Sequence, residues 1–65
     1  MNLTRVRMEL ARQSLHQADL AVRLEVSESY ISLILNGLRK PSREMIRKIE
    51  RALGLKDGVL GNDSN

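Results

Sequence analysis

The sequence lacks cysteine, and it contains one tyrosine but no phenylalanine or tryptophan. Without cysteine, a disulfide framework and a thiolate metal site are both excluded. Proteins that stack single-stranded bases use several aromatic side chains, so this class of nucleic-acid binding is disfavoured. No apolar run reaches the roughly 20 residues that span a bilayer, and MNLTRVRMEL contains no signal-peptide segment. The sequence therefore predicts a cytoplasmic protein with no cofactor, no metal and no membrane association.

The length of 65 residues allows one domain with a small core. We expect the folded domain to cover residues 1–60, and the polar segment GNDSN, residues 61–65, to be a disordered tail. The net charge is +3 and the sequence pI is near 10.0. This charge favours a polyanionic partner only weakly, because many small basic proteins bind no polyanion.

The apolar spacing is helical throughout and shows no period-2 alternation, which predicts an all-α bundle of four to five short helices. The first three helices are expected at about residues 3–13, 17–24 and 28–36. A fourth covers REMIRKIERAL, and LKDGVL is expected to add a further helical turn. The residues expected to cap these helices are Ser27 and Ser42 at N-termini, and Gly37 and Gly54 at C-termini.

The third helix has an apolar residue on the wrong face. At 100° per residue, its core face comprises Ile31, Ile34 and Leu35. Leu33 falls near the middle of the opposite face, among small polar residues. Single exposed leucines are common, so the spacing alone does not decide whether Leu33 has a function.

Residues 15–55, LHQADLAVRLEVSESYISLILNGLRKPSREMIRKIERALGL, resemble the lambda-repressor/Cro type of helix-turn-helix domain, the Xre family. The resemblance depends on the joint spacing of several features: Gln17, Leu20–Ala21, Val26–Ser27, Ile31, Asn36–Gly37, Pro41–Ser42 and ALGL at 52–55. It implies five helices and a sequence-specific regulator that binds double-stranded DNA. Such a regulator usually represses transcription, as a dimer on an inverted repeat with its third helix in the major groove.

The resemblance also implies phosphate contacts. Gln17 and Asn36 match family residues that meet the DNA backbone, and a helix N-terminus such as that at Gln17 attracts anions. The alternative role of Gln17 is helix capping, and His16 is interpreted as a cap with a phosphate contact as a second role. The basic residues that follow the third helix would bracket the same strand, or else form a solvated loop: Arg39, Lys40 and Arg43.

The resemblance assigns base contacts to the N-terminal part of the third helix: Ser27, Glu28, Ser29, Ser32 and Leu33. Glu28 could accept a hydrogen bond from a cytosine amino group, but complementing the helix dipole is an equally good role for it. Leu33 can pack on thymine C5-methyl groups, which gives the exposed leucine a function.

In the resembled family the dimer contact follows the fourth helix. Here that segment offers few apolar side chains, so we expect a monomer or weak dimer in free solution. The interface residues implied by the resemblance are Leu55, Lys56, Val59 and Leu60.

The chain departs from the family pattern at two positions. Glu25 stands where the inter-helix turn usually has glycine, so a left-handed backbone there would be strained. Leu35 stands where the family often has a glutamate, which in some members pairs with an arginine of the first helix. We hypothesise that Leu10 and Leu35 form an apolar pair in its place, an exchange that is often neutral or stabilising.

Other functions fit less well. No nucleophile–base pair, glycine-rich phosphate loop or paired carboxylate setting is recognisable, so we do not expect an enzyme. A membrane-active peptide conflicts with separate capped helices and eight acidic residues. The stronger rival is an antitoxin or other protein-interaction module, with the fourth helix and Val59–Leu60 as its surface. The sequence leaves open both a complete small protein and the DNA-binding domain of a longer repressor.

Overall fold

Four helices follow one another in the computed structural model, which describes residues 1–61: α1 (Leu3–Arg12), α2 (Gln17–Leu24), α3 (Glu28–Leu35) and α4 (Arg43–Ala52). The described residues contain no strand, which confirms the all-α prediction. Three of the helices end one residue earlier than expected. Of the expected tail, Gly61 lies in a turn, and residues 62–65 lie outside the described part of the chain.

Side chains satisfy the free backbone N–H groups at the starts of the helices. The Ser27 and Ser42 hydroxyls accept from the N–H groups three residues later, both at 3.1 Å, as predicted. Asn2 caps α1 in the same way at 3.0 Å. At α2 the Asp19 carboxylate accepts from the His16 backbone N–H at 2.8 Å, the reverse arm of a capping box.

All four helices end in the same backbone motif, in which a left-handed residue turns two N–H groups back onto the last carbonyls. At α2, Val26 N donates to Ala21 O at 3.0 Å, and Glu25 N donates to Val22 O at 3.1 Å. The left-handed residues are Ser14, Glu25, Gly37 and Gly54, with φ of 57°, 59°, 75° and 73°. Ser14 and Glu25 therefore adopt a left-handed conformation that is energetically unfavourable for residues other than glycine.

The core forms around α2, which packs against both α3 and α4. Its fully buried side chains come from every helix and from the C-terminal segment: Val6, Leu20, Ile31, Ile49 and Leu60. Leu10 and Leu35 are also buried and belong to the same core cluster, as the apolar-pair hypothesis requires.

The expected fifth helical turn in LKDGVL does not form; residues 57–61 make a turn. Gly58 has a φ of 93°, which is incompatible with a right-handed helix. The segment is held by the fully buried Glu50 carboxylate, which accepts from Gly58 N at 3.1 Å and from Leu60 N at 2.8 Å. Asn2 N also donates to Leu60 O at 3.1 Å. A carboxylate on α4 therefore takes the place of helical hydrogen bonds.

A second buried carboxylate, Glu9, organises α1. It accepts from Arg5 Nε at 3.2 Å, from Arg12 NH2 at 2.6 Å and from Gln13 Nε2 at 3.2 Å. Gln13 Nε2 also donates to Leu53 O at 2.8 Å, which ties α1 to the end of α4. The hydrogen bond from Arg12 is the largest cause that holds the pKa of Glu9 below its ordinary value; those from Gln13 and Arg5 act in the same direction.

Replacing Glu25 with glycine should stabilise the protein, because glycine adopts φ near 60° without the steric cost of a Cβ. The expected gain is up to about 1 kcal/mol, or a rise in Tm of about 4–8 °C for a domain of this size. Thermal unfolding followed by circular dichroism measures this effect. Glu25→Ala is the matched control, since it removes the charge and keeps the Cβ. An equal gain in both variants would contradict the strain argument.

The lowered pKa of Glu9 makes part of the stability depend on pH. A carboxylate with a lowered pKa in the folded state stabilises the protein above its unfolded-state pKa, and this contribution is lost as pH falls through the folded-state pKa. The free energy of unfolding, measured by urea titration, should therefore fall more between pH 6 and acidic pH in the wild type than in Glu9→Gln. Parallel curves for the two proteins would show that Glu9 is not the group responsible.

Candidate nucleic-acid interface

Helices α2 and α3 and the turn between them form a helix-turn-helix unit whose second helix has two different faces. The inner face of α3 is buried in the core through Ile31, Ile34 and Leu35. On the outer face Leu33 is 40% exposed, as the helical spacing predicted. Of the other residues expected to contact bases, Ser27, Glu28 and Ser29 are exposed, and Ser32 is half-buried. All five side chains lie at the N-terminus of α3 or along it.

The C-terminus of α3 carries a hydrogen-bond network that the sequence did not indicate. Asn36 Nδ2 donates to Ser32 O at 2.8 Å and to Ser32 Oγ at 3.3 Å. Arg7, from α1, donates through NH2 to Leu35 O at 2.6 Å and to Asn36 Oδ1 at 3.4 Å. The asparagine expected to meet phosphate is thus bonded through both ends of its amide, and an unpredicted arginine lies beside it.

A second exposed leucine lies next to Leu33. Leu38 is 75% exposed, and its N–H donates to Leu33 O at 2.9 Å, within the backbone motif that ends α3. In this motif the two side chains commonly lie close together. Leu38 therefore adds an exposed apolar side chain just after α3, beyond the residues that helical spacing can place on a face.

The three basic residues expected to bind phosphate after α3 are exposed, but they differ in setting: Arg39 and Lys40 lie in the loop, and Arg43 is the first residue of α4. The guanidinium of Arg39 lies over the Tyr30 ring, 5.2 Å from its centroid, which holds this cation against α3. Lys40 and Arg43 line a surface groove that they share with Arg47 of α4. Together these residues form a cationic surface, in which the position of Arg39 is fixed by its contact with Tyr30.

Positive charge is unevenly placed along the chain. Residues 39–51 contain six of the eleven lysines and arginines but only two carboxylates, of which Glu50 is fully buried. In α1, by contrast, Arg5 and Arg12 are both paired with Glu9. The exposed cationic surface is therefore concentrated between the end of α3 and the outer face of α4.

The N-terminus of α2 carries two of the residues expected to contact phosphate. Gln17 is the first residue of the helix and is half-buried, and His16 before it is exposed. The first N–H groups of a helix have no partners within the helix, so this end can receive an anion.

The segment expected to form a dimer contact is mostly held within the monomer. The assignment of Leu60 to an interface is corrected by its position in the core, where it is 0% exposed. The reason is a pair of hydrogen bonds that turn this segment inward: Leu60 N donates to the Glu50 carboxylate, and Leu60 O accepts from Asn2 N. Leu55 and Val59 are half-buried against the core, and only Lys56 is exposed.

Over residues 1–61, no three histidine or acidic side chains are grouped so as to hold a metal ion. None of the helices in this range is long and apolar enough to cross a membrane.

Comparison with known proteins places the fold in a family. A family model described as Helix-turn-helix matches residues 6–60, which includes all four helices except the first residues of α1. No curated protein and no solved structure matches the chain. Because the family model covers most of the sequence, the chain belongs to the helix-turn-helix family of the Xre/lambda-repressor type and is a DNA-binding regulator.

Proposed function

We propose that this regulator is a sequence-specific repressor of Cro/CI type, which binds an inverted-repeat operator as a dimer with α3 in the major groove. The observation that carries the proposal is the outer face of α3, where Leu33 is 40% exposed among serines while the inner face is buried. Small side chains allow a helix to approach the floor of the groove closely. A half-exposed leucine at the centre of that face gains a partner in a thymine methyl.

The proposed base contacts differ in how much they discriminate. The Ser27 hydroxyl oxygen already accepts from Tyr30 N, which leaves its O–H as a donor and one lone pair as an acceptor. Ser29 is exposed, and serine hydroxyls can donate or accept, which makes them weakly selective. Glu28 lies in the first turn of α3 and accepts from a cytosine amino group when it enters the groove. Leu33 and Glu28 therefore supply most of the preference, with Ser32 as a further contact.

The proposed phosphate contacts flank the recognition helix. Gln17 and His16 bind at the N-terminus of α2, and Lys40 and Arg43 bind beyond the end of α3. Arg39 and Asn36 belong to the same set, although each is also held by a contact within the protein. Contacts of this kind fix register on the duplex without selecting its sequence.

Dimerisation is proposed because one α3 helix spans only about four or five base pairs, while a twofold pair reaches two half-sites roughly 34 Å apart. Leu55, Lys56 and Val59 remain as the contact surface, with Leu60 acting through the core beneath them. Such a surface is small, so dimerisation is coupled to DNA binding.

The alternative function is an antitoxin or another protein-interaction module. The surface expected for it is less apolar than the sequence indicated, since Leu60 is buried and α4 presents Arg47, Lys48 and Arg51 to solvent. Exposed apolar side chains lie instead on α1 and α2, at Met8 and Val22, which are 62% and 75% exposed. If a protein partner binds this surface, Val22→Asp should lose binding to that partner and keep its affinity for DNA.

Leu33→Ala and Arg43→Ala should weaken DNA binding in different ways. Loss of the Leu33 side chain removes a contact with one base position, so preference there should relax by about 1 kcal/mol. Loss of Arg43 should weaken all duplexes about equally. Affinities for a selected operator and for its single-base variants, measured by fluorescence anisotropy, separate the two effects. If Leu33→Ala lowers Tm and leaves base preference unchanged, the leucine has a packing role only.

Binding of the wild type should depend strongly on salt and should saturate at two subunits per duplex. If each subunit meets about four or five phosphates, the slope of log affinity against log salt is about −7 to −9 for a dimer. Anisotropy at several salt concentrations gives the slope, and sedimentation with and without a palindromic duplex gives the stoichiometry. A scrambled duplex of equal length serves as the control.

Two results would contradict these expectations. A slope near zero, or no binding to any duplex at low salt, excludes a DNA-binding function. Saturation at one subunit per duplex, with no twofold symmetry in the protected bases, excludes the dimer and leaves DNA binding in place.

A further inference from the structure

Arg7 occupies a position that neither the sequence nor the family match assigns to DNA. It lies on α1, yet its NH2 group donates to Leu35 O at 2.6 Å and to Asn36 Oδ1 at 3.4 Å, both at the C-terminus of α3. The partial negative charge of a helix C-terminus favours a cation there. A guanidinium from another helix is therefore fixed beside the end of the recognition helix.

Arg7 also differs from the other two arginines of α1. Arg5 and Arg12 are neutralised by the Glu9 carboxylate, at 3.2 Å and 2.6 Å. Arg7 has no acidic partner among the described residues, and its bonds there go to neutral acceptors through one of its three nitrogens. Arginine carries five N–H donors, so Nε and NH1 remain available, and the residue is exposed.

The neighbouring asparagine is less free. Asn36 Nδ2 is bonded to Ser32 O at 2.8 Å and approaches Ser32 Oγ at 3.3 Å, and Asn36 Oδ1 accepts from Arg7. To donate to a phosphate, the Asn36 amide would have to weaken bonds that fix its orientation. Of these two side chains, Arg7 and Asn36, only Arg7 has donors that need no rearrangement.

We propose that Arg7 binds a DNA backbone phosphate at the C-terminal end of α3, and that Asn36 acts there by positioning the guanidinium, which replaces the direct phosphate contact assigned to Asn36 above. This rests on the proposed function, in which α3 enters the major groove. The ligand is a phosphodiester, whose oxygens match the planar fork of a guanidinium. The two bonds to Leu35 and Asn36 hold the side chain in place before DNA arrives, so less rotamer entropy is lost on binding.

The first measurement is the salt dependence of binding to a selected palindromic duplex. Each phosphate contact contributes about 0.9 to the slope of log affinity against log salt, so Arg7→Met should flatten it by about 1.8 for a dimer. Base preference should not change. Arg23→Met is the matched control, because Arg23 is an exposed arginine that donates to a carbonyl at the end of α4, Ala52 O at 2.9 Å, outside the proposed contacts and the cationic residues 39–51. Its slope should equal that of the wild type.

The second measurement identifies the phosphate. Each phosphate of the duplex is replaced in turn by an uncharged methylphosphonate, and affinity is measured for the wild type, Arg7→Met and Asn36→Ala. One substitution per half-site should weaken wild-type binding several-fold and have no further effect on Arg7→Met, the signature of a coupled pair. Asn36→Ala should retain sensitivity at that phosphate, because the arginine is still present.

Several outcomes would overturn the proposal. A purely structural role predicts a lower Tm in Arg7→Met with the salt slope and the methylphosphonate pattern of the wild type. Loss of sensitivity in Asn36→Ala alone would return the contact to the asparagine. If Arg7→Met does not fold, the uncharged and polar Arg7→Gln is scanned instead, and a methylphosphonate pattern identical to that of the wild type contradicts the proposal. A wild type that binds no duplex is a different result, since it removes the proposed function itself.

Discussion

The burial of one face of α3 is the constraint on which the proposed DNA-binding surface depends. Ile31, Ile34 and Leu35 are between 0% and 2% exposed, so this short helix cannot rotate without opening the core. The side chains on the opposite face of α3, including Leu33, are therefore kept in solvent. Because α2 packs against both α3 and α4, the same apolar contacts also fix the position of α3 relative to α4 and the basic residues before it. The orientation of the polar surface is thus a result of apolar packing.

The positions of two buried carboxylates determine which cations remain unpaired at the surface. Glu9 neutralises two arginines of α1, and Glu50 is turned inward to hold the segment at residues 57–60. Neither carboxylate opposes the cations of residues 39–51 at the surface. The modest net charge of +3 therefore understates the local positive potential on one side of the molecule, which is the quantity that attracts a polyanion.

The local features of the fold could be predicted from the sequence, and the long-range ones could not. Apolar spacing and serine caps depend on residues three or four apart, so they predicted α1 to α4 to within one residue. The same rule could have found Glu9, since its arginine partners lie four residues before and three after it. Arg7 bonds across 28 or 29 residues, and no local pattern signals that. Leu60 was misplaced for the same reason, because its inward turn depends on Glu50 and Asn2. The roles in base reading and dimerisation stay predictions.

The backbone hydrogen bond from Asn2 N to Leu60 O, at 3.1 Å, brings the two ends of the segment at residues 2–60 together. Because these two ends are neighbours in space, a short peptide could join them, and closing so short a loop costs little entropy. A permuted chain that began before α4 and continued through such a link into α1 would keep α2, its turn and α3 contiguous. The order in which α4 and α1 occur along the chain is therefore not essential to the fold, and the permuted protein should keep an intact helix-turn-helix unit.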